Sequence, residues 1–81
     1  MKDETVCIAD IYVPAKRRKT LNAERVEELA EDILEAGQIS PIWVRQGDKR
    51  LVLVEGLHRL EALKVLGEGS IVANFVQAGK N

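Results

Sequence analysis

The residues best suited to chemistry lie in the segment 51–67, LVLVEGLHRLEALKVLG, where an apolar strand is predicted to pass through Gly56 into a helix. The first turn of a helix leaves four backbone N–H groups without partners, and the helix dipole adds partial positive charge there. His58 and Arg59 fall in this first turn, where a cation is unfavourable unless an anion is bound. The pattern therefore predicts a phosphate-binding turn at residues 56–59.

Each residue of this turn also has an interpretation without a ligand. Gly56 allows the chain to bend, and the absence of a Cβ also lets a phosphate approach the backbone amides. If no anion binds, Arg59 is expected to form an ion pair with Glu55 or Glu61. His58 would then have only a packing role. Glu55 is the sole acid at the end of the strand and could accept a proton, hold a metal together with a nucleotide, or pair with Arg59. Glu55 and His58 are therefore the candidate acid–base residues.

Composition indicates one small domain, residues 1–81, with 46% hydrophobic residues. The single cysteine, Cys7, excludes an internal disulfide and is predicted to be a buried strand residue. One histidine and one cysteine exclude a conventional structural zinc site, and no metal site is predicted. No apolar run approaches the roughly 20 residues of a membrane-spanning helix. Without a targeting segment, the chain is expected to be cytoplasmic.

The charges are segregated along the chain although the net charge is only −1. Residues 16–19 are KRRK, whereas residues 22–36 hold six acids and one base, Arg25. The acidic helix is predicted to present a solvated face and not to lie against nucleic acid. The basic cluster joins an anion site only if the fold brings it to the start of the second helix.

The hydrophobic pattern predicts an α/β fold in the order β-α-β-β-α-β, with two main helices on a small mixed sheet. Asn22 is a suitable N-cap for the first helix, and Gly37 a suitable C-terminal residue. The strand at 51–54 lacks alternation, so we expect it to be central and covered on both faces. Trp43 is expected to pack half-buried on a strand, with stacking on a nucleic acid base as the less favoured alternative. The expected elements are a strand near 6–8, a loop at 10–20, strands at 42–45 and 51–55, a helix at 57–66 and a strand at 70–76.

Three boxes of the sequence together resemble the ParB/sulfiredoxin superfamily, and specifically its ParB N-terminal domain. They are PAKRRKTL at 14–21, AGQISPIWVR at 36–45 and LVLVEGLHRLEAL at 51–63. The resemblance covers about residues 6–76. It implies a small α/β module in a bacterial, cytoplasmic protein, with a strand–Gly–helix turn that binds nucleotide phosphates.

The phosphate box differs among branches of the superfamily. Partition ParB proteins carry G-E-R-R-x-R, which Gly56 and Arg59 match while two of its arginines are replaced. Sulfiredoxins carry G-C-H-R, and Leu57 stands where their catalytic cysteine would be, which excludes their sulfinate chemistry. The free-serine kinases carry D-G-x-H-R, which Gly56, His58 and Arg59 fit with Glu55 as a near match. Their catalytic carboxylate ahead of the first helix is replaced by the basic cluster.

The resemblance extends the expected site beyond the turn. Arg18 and Lys19 match the last two residues of the family's Q-P-R-K box, and Ser40 with Pro41 stands where a Q-P pair follows the first helix. We therefore expect ATP or CTP to bind, with Mg²⁺ as a companion ion, at Gly56, His58, Arg59, Arg18, Lys19 and Ser40.

These observations lead to one functional hypothesis and two alternatives. The hypothesis is a stand-alone ParB-like domain that binds a nucleotide or another phosphate group, in a DNA-associated or regulatory role. The first alternative is a small ATP-dependent phosphotransferase or nuclease in which Glu55 or His58 is the acid–base group. The second is a module that holds nucleic acid backbone through residues 16–19 and Arg59 without reading sequence.

Overall fold

A computed structural model describes residues 3–37 and 40–76, within which five strands form one mixed sheet. The strand order is β1-β5-β3-β4-β2. The β1–β5 and β3–β4 pairs are antiparallel, whereas β3–β5 and β2–β4 are parallel. This architecture confirms the α/β class and the mixed sheet. The elements are β1 (Asp3–Cys7), a 3₁₀ turn (Ile8–Asp10), β2 (Ile11–Tyr12), α1 (Ala15–Arg18), α2 (Ala23–Ala36), β3 (Ile42–Gln46), β4 (Leu51–Glu55), α3 (Leu57–Val65) and β5 (Ser70–Phe75).

Helix α3 is buried on two sides, because it packs both on the sheet and against α2. Leu57, Leu60 and Leu63 belong to the main core together with buried residues of β3, β4 and β5. Ala62 instead forms a second cluster with Val26 and Ala30 of α2. Helix α2 is therefore the outer element, and α3 lies where its first turn can meet both α2 and the sheet.

Both ends of α2 have the chemistry that the sequence predicted. The Asn22 side-chain oxygen accepts hydrogen bonds from the N–H groups of Glu24 at 2.9 Å and Arg25 at 3.2 Å. Gly37 has φ +80° and its N–H donates to the Ile33 carbonyl at 2.7 Å. None of the described helices is long and apolar enough to cross a membrane.

The first 20 residues differ from the expectation in two respects. Strand β1 begins at Asp3 and ends at Cys7, and it is Ile8, in the 3₁₀ turn, that is buried. Cys7 is exposed because it ends an edge strand; the prediction that it is buried was wrong. The expected loop at 10–20 contains the two-residue strand β2 and the short helix α1.

The helices cover only one face of the sheet. In β4, Leu51 and Leu53 are buried, whereas Val52 and Val54 are half-buried, so the prediction of a strand covered on both faces was wrong. Trp43 alternates with buried residues of β3 and is 42% exposed instead of half-buried. The run of apolar residues in β4 therefore does not indicate a second packed layer. Its alternate residues form an apolar strip on the face that the helices do not cover.

The turn at Gly56 brings α3 onto the sheet. Gly56 has φ +107°, which is in the left-handed region that favours glycine. A Cβ at this position would lie 2.7 Å from Cγ2 of Ile42, a fully buried residue of β3. Both the backbone conformation and the packing therefore require glycine here.

We predict that Gly56→Ala lowers the free energy of unfolding by about 2–5 kcal/mol, because it combines a left-handed alanine with overpacking against Ile42. Gly67 is a matched control, since it has φ +80° but a Cβ there would meet nothing within 4 Å in the described chain. Gly67→Ala should lower the free energy of unfolding only through the left-handed conformation of the alanine, by about 1–2 kcal/mol. Urea unfolding of the two variants measures the difference. Equal losses would contradict a packing role for the contact with Ile42.

Candidate functional site

The transition from β4 to α3 forms one wall of a recess of about 280 Å³. The other wall comes from the segment that joins α1 to α2, and from α2 itself. Three arginines, one histidine and one carboxylate supply the charged groups of this recess. They are Arg17, Arg25, Arg59, His58 and Glu55, and the remaining lining residues are Thr20, Leu29, Gly56 and Leu57. Excess positive charge beside a helix start suits an anionic ligand.

The two helix N-termini near this recess differ in how their N–H groups are satisfied. The start of α2 is capped by the Asn22 side chain. The residue before α3 is Gly56, which has no side chain to act as a cap, and no acid lies in the first turn of α3. The Gly56 carbonyl accepts the first helical hydrogen bond, from Leu60 N–H at 2.9 Å. Helix α3 therefore presents the N-terminus that is better prepared for an external anion.

His58 and Glu55, the two acid–base candidates, are both held by bonds to the preceding segment. His58 Nε2 accepts a hydrogen bond from the N–H of Asn22 at 3.0 Å. A ring nitrogen that accepts carries no proton, so a neutral His58 has its proton on Nδ1. Glu55 Oε1 accepts from Nη1 of Arg17 at 3.1 Å. These two bonds attach the segment 17–22 to the start of α3.

Arg59 lies outside the ion pairs that its acidic neighbours form. Glu55 pairs with Arg17, and Glu61 pairs with Lys64 at 3.2 Å, so neither of the expected alternatives for Arg59 occurs in the described structure. Arg59 also lines a second recess, of about 210 Å³, with Leu29, Ser40 and one carboxylate residue, Asp32. The side chain therefore stands between two adjoining recesses, and within residues 3–37 and 40–76 its guanidinium forms no ion pair.

The basic cluster contributes a different residue from the one expected. Arg17 lines the recess at the start of α3, whereas Arg18 and Lys19 are not among the described residues that line it. Thr20 Oγ1 donates to the Arg17 carbonyl at 2.8 Å and closes the turn after α1. Arg17, Thr20 and Arg25 were missed by sequence reasoning.

The described side chains hold no ready-made metal centre. Across residues 3–37 and 40–76, no group of three His, Cys, Asp or Glu side chains comes close enough to hold a metal ion.

A family comparison identifies the domain. The model of the ParB N-terminal domain family matches residues 4–81. The chain belongs to the ParB N-terminal domain family. The probable chromosome-partitioning protein ParB of Campylobacter jejuni is 37% identical over 68 residues, which are 84% of this chain and 24% of that protein. This ParB N-terminal domain thus spans about a quarter of that relative's length.

Solved structures of three kinds share the fold. Sulfiredoxin from Arabidopsis thaliana has a TM-score of 0.85 at 26% identity, over 96% of this chain and 88% of sulfiredoxin. C-terminally truncated ParB from Caulobacter crescentus, complexed with CTP-γ-S, has a TM-score of 0.81 at 23% identity, over 99% of this chain and 47% of that one. A variant of a free serine kinase in complex with ADP has a TM-score of 0.79 at 18% identity, over 94% of this chain and 31% of the kinase chain.

We predict that the Arg17–Glu55 ion pair of this ParB N-terminal domain adds little to its stability. The side chains are 44% and 66% exposed, and exposed pairs contribute at most about 1 kcal/mol. A double-mutant cycle of Arg17→Ala and Glu55→Gln in urea unfolding should give a coupling energy below that value. Asn22→Ala serves as a reference because loss of an N-cap costs about 1 kcal/mol. A coupling energy well above the Asn22 effect would show that the pair has a structural role.

Proposed function

We propose that this ParB N-terminal domain binds a nucleotide by its phosphates at the start of α3. The phosphates would accept from the N–H groups that follow Gly56 and from the side chains of His58 and Arg59. The observation that most supports this proposal is the position of Arg59. It lines both recesses beside a helix start without a capping side chain, and the two acids nearest to it in sequence, Glu55 and Glu61, are paired with other cations.

The relatives support a nucleotide as the class of phosphate ligand. ParB from Caulobacter crescentus was solved with CTP-γ-S, and the free serine kinase variant with ADP. Proteins with this fold thus accommodate nucleotides of either base type. We therefore propose ATP or CTP as the ligand.

Arg17 can join the site at low cost. Its bond to Glu55 is exposed and is worth at most about 1 kcal/mol, and a phosphate offers more negative charge and more acceptor oxygens than one carboxylate. A phosphate in the recess would therefore draw Arg17 away from Glu55. The same exchange would leave the Glu55 carboxylate beside the phosphates. One carboxylate together with phosphate oxygens is a common ligand set for Mg²⁺.

The remaining proposed contacts lie on either side of the first recess. Ser40 lines the second recess, which adjoins the first through Leu29 and Arg59, so the nucleoside part is proposed to extend towards Ser40. Arg18 and Lys19 follow Arg17 directly. We propose that they add longer-range attraction for the phosphates, which is more sensitive to salt than the contacts inside the recess.

We propose binding and not turnover as the primary activity. Glu55 and His58 Nε2 are both engaged in hydrogen bonds, and either group would have to leave its partner before it could act as a general base. The alternative, a phosphotransferase or nuclease, is distinguished by nucleotide turnover that is lost in Glu55→Gln.

Binding is tested by titration of the ¹⁵N-labelled domain with ATP, CTP and ADP, each with and without Mg²⁺. We expect the largest chemical shift changes at the backbone amides of residues 57–60. Arg59→Ala should weaken binding about tenfold or more, because it removes charge-assisted hydrogen bonds to phosphate.

Lys64→Ala is the matched control, since it removes one cation from the other end of the same helix, where Lys64 pairs with Glu61. It should leave nucleotide affinity nearly unchanged. The dispersion of the spectrum and the urea midpoint verify that each variant is folded. Absence of shifts at millimolar nucleotide, or an equal effect of the two substitutions, would overturn the proposal.

A further inference from the structure

No element of the described residues covers the sheet face opposite the helices, and this face carries two exposed aromatic residues. Tyr12 is 38% exposed and Trp43 is 42% exposed. The strand register puts Arg45, Val52 and Tyr12 side by side across β3, β4 and β2, with Trp43 two residues from Arg45 on the same side of β3. We call Tyr12, Trp43, Arg45, Val52 and Arg50 the open face.

One end of the open face is a basic recess of about 800 Å³ next to the turn between β3 and β4. The Arg50 guanidinium carbon lies 3.9 Å from the centre of the Tyr12 ring, so the two groups are stacked. Arg45 and Lys49 also line this recess, and Asp48 supplies the one carboxylate among its described lining residues. The recess therefore has an excess of positive charge beside aromatic and apolar surface.

The opposite layer of the molecule has the opposite charge. The acids of α2 are exposed, and α2 packs against α3 on the covered side of the sheet. At the end of β4, the Glu55 carboxylate is paired with Arg17. A polyanion is thus attracted to the open face and repelled by the outer helix.

We infer that the open face binds single-stranded nucleic acid. Unpaired bases would stack on Trp43 and on the Tyr12–Arg50 pair, which are planar groups, while Arg45 and Lys49 would contact phosphates. By strand geometry, the Cα atoms of Tyr12 and Trp43 lie roughly 12 Å apart, so one strand can span both stacking positions. A duplex hides the faces of its bases, and the side chains of Asp and Glu carry no aromatic ring to stack on Trp43 and Tyr12.

The surface is separate from the proposed nucleotide site. Its residues come from β2, β3, β4 and the turn at 46–50, and none of the five lines the recess at the start of α3, although Glu55, the register partner of Trp43, does. The inference therefore does not depend on the proposed function.

Trp43 is the sole tryptophan of the chain and gives a direct probe. We expect its fluorescence to be quenched when a short oligothymidylate is added to the whole domain at low salt. Anisotropy of a labelled oligothymidylate should show about fivefold or greater weakening in Trp43→Leu, because one stacking position is lost. Arg45→Glu should weaken binding about tenfold or more and reduce the salt dependence.

Two control variants separate this surface from net charge and from the nucleotide site. Lys64→Glu makes the same kind of charge reversal on the helical layer and should change oligothymidylate affinity little. Arg59→Ala should retain oligothymidylate binding although it impairs nucleotide binding. Urea midpoints of all variants verify that an exposed substitution, such as Trp43→Leu, has not unfolded the domain.

Four results would overturn the inference. One is the absence of binding at low salt, and another is binding of a duplex of equal length as tightly as of the single strand. A third is displacement of the oligothymidylate by polyglutamate at comparable concentration, which would indicate an acidic protein partner. The last is equal weakening by Lys64→Glu and Arg45→Glu, which would indicate attraction by charge alone.

Discussion

The close approach of Gly56 to Ile42 determines the arrangement of the rest of the structure. At this point β4 ends and α3 must begin while the backbone is in contact with β3, and a Cβ would lie 2.7 Å from the Ile42 side chain. With φ at +107°, the chain turns at once into α3, and Leu57 is already in the core. A looser turn would move α3 away from the sheet. The first turn of α3 would then no longer meet the segment 17–22.

The position of α3 between two layers explains why the site forms where it does. Because α3 packs on the sheet and on α2, its N-terminus is held against the N-terminus of α2. The hydrogen bond from Asn22 N–H to His58 and the ion pair of Arg17 with Glu55 join these elements across the recess. Each bond is exposed and weak by itself. The packing of the helices therefore determines the geometry of the two bonds. The bonds are a consequence of this packing and not its cause.

Local chemistry explains which features could be predicted from the sequence. Asn22 as a cap, Gly37 as a helix end and Gly56 as a turn each meet a local requirement that few residue types satisfy. The site at the start of α3 was predictable for the same reason. Arg17 was not, because α1 has only four residues and shows no helical periodicity. β2, with two residues, likewise gives no pattern, since its formation depends on pairing with β4.

Burial was harder to predict than secondary structure. The apolar residues of β4 indicated a strand with two covered faces, but hydrophobic composition does not specify what covers a surface. Val52 is half-buried because neighbouring side chains, and not a second layer, shield it. Cys7 was expected to be buried and Trp43 half-buried for the same reason, and both are exposed. In each case, the residue type indicates a preference for burial. Whether the residue is buried depends on the topology, because the topology determines whether another element packs over it.

The charge distribution raises the question of how a phosphate could bind next to the acidic helix α2. The acids of α2 are exposed to solvent, where salt screens their field over about 8 Å at physiological ionic strength. Arg17, Arg25 and Arg59 line the recess itself and would contact an anion directly. A charge-assisted hydrogen bond at contact distance is worth about 1.5–3 kcal/mol, more than a screened repulsion between exposed charges. Contact donors therefore outweigh the surrounding acids, whose effect is to disfavour extended polyanions on this side of the molecule.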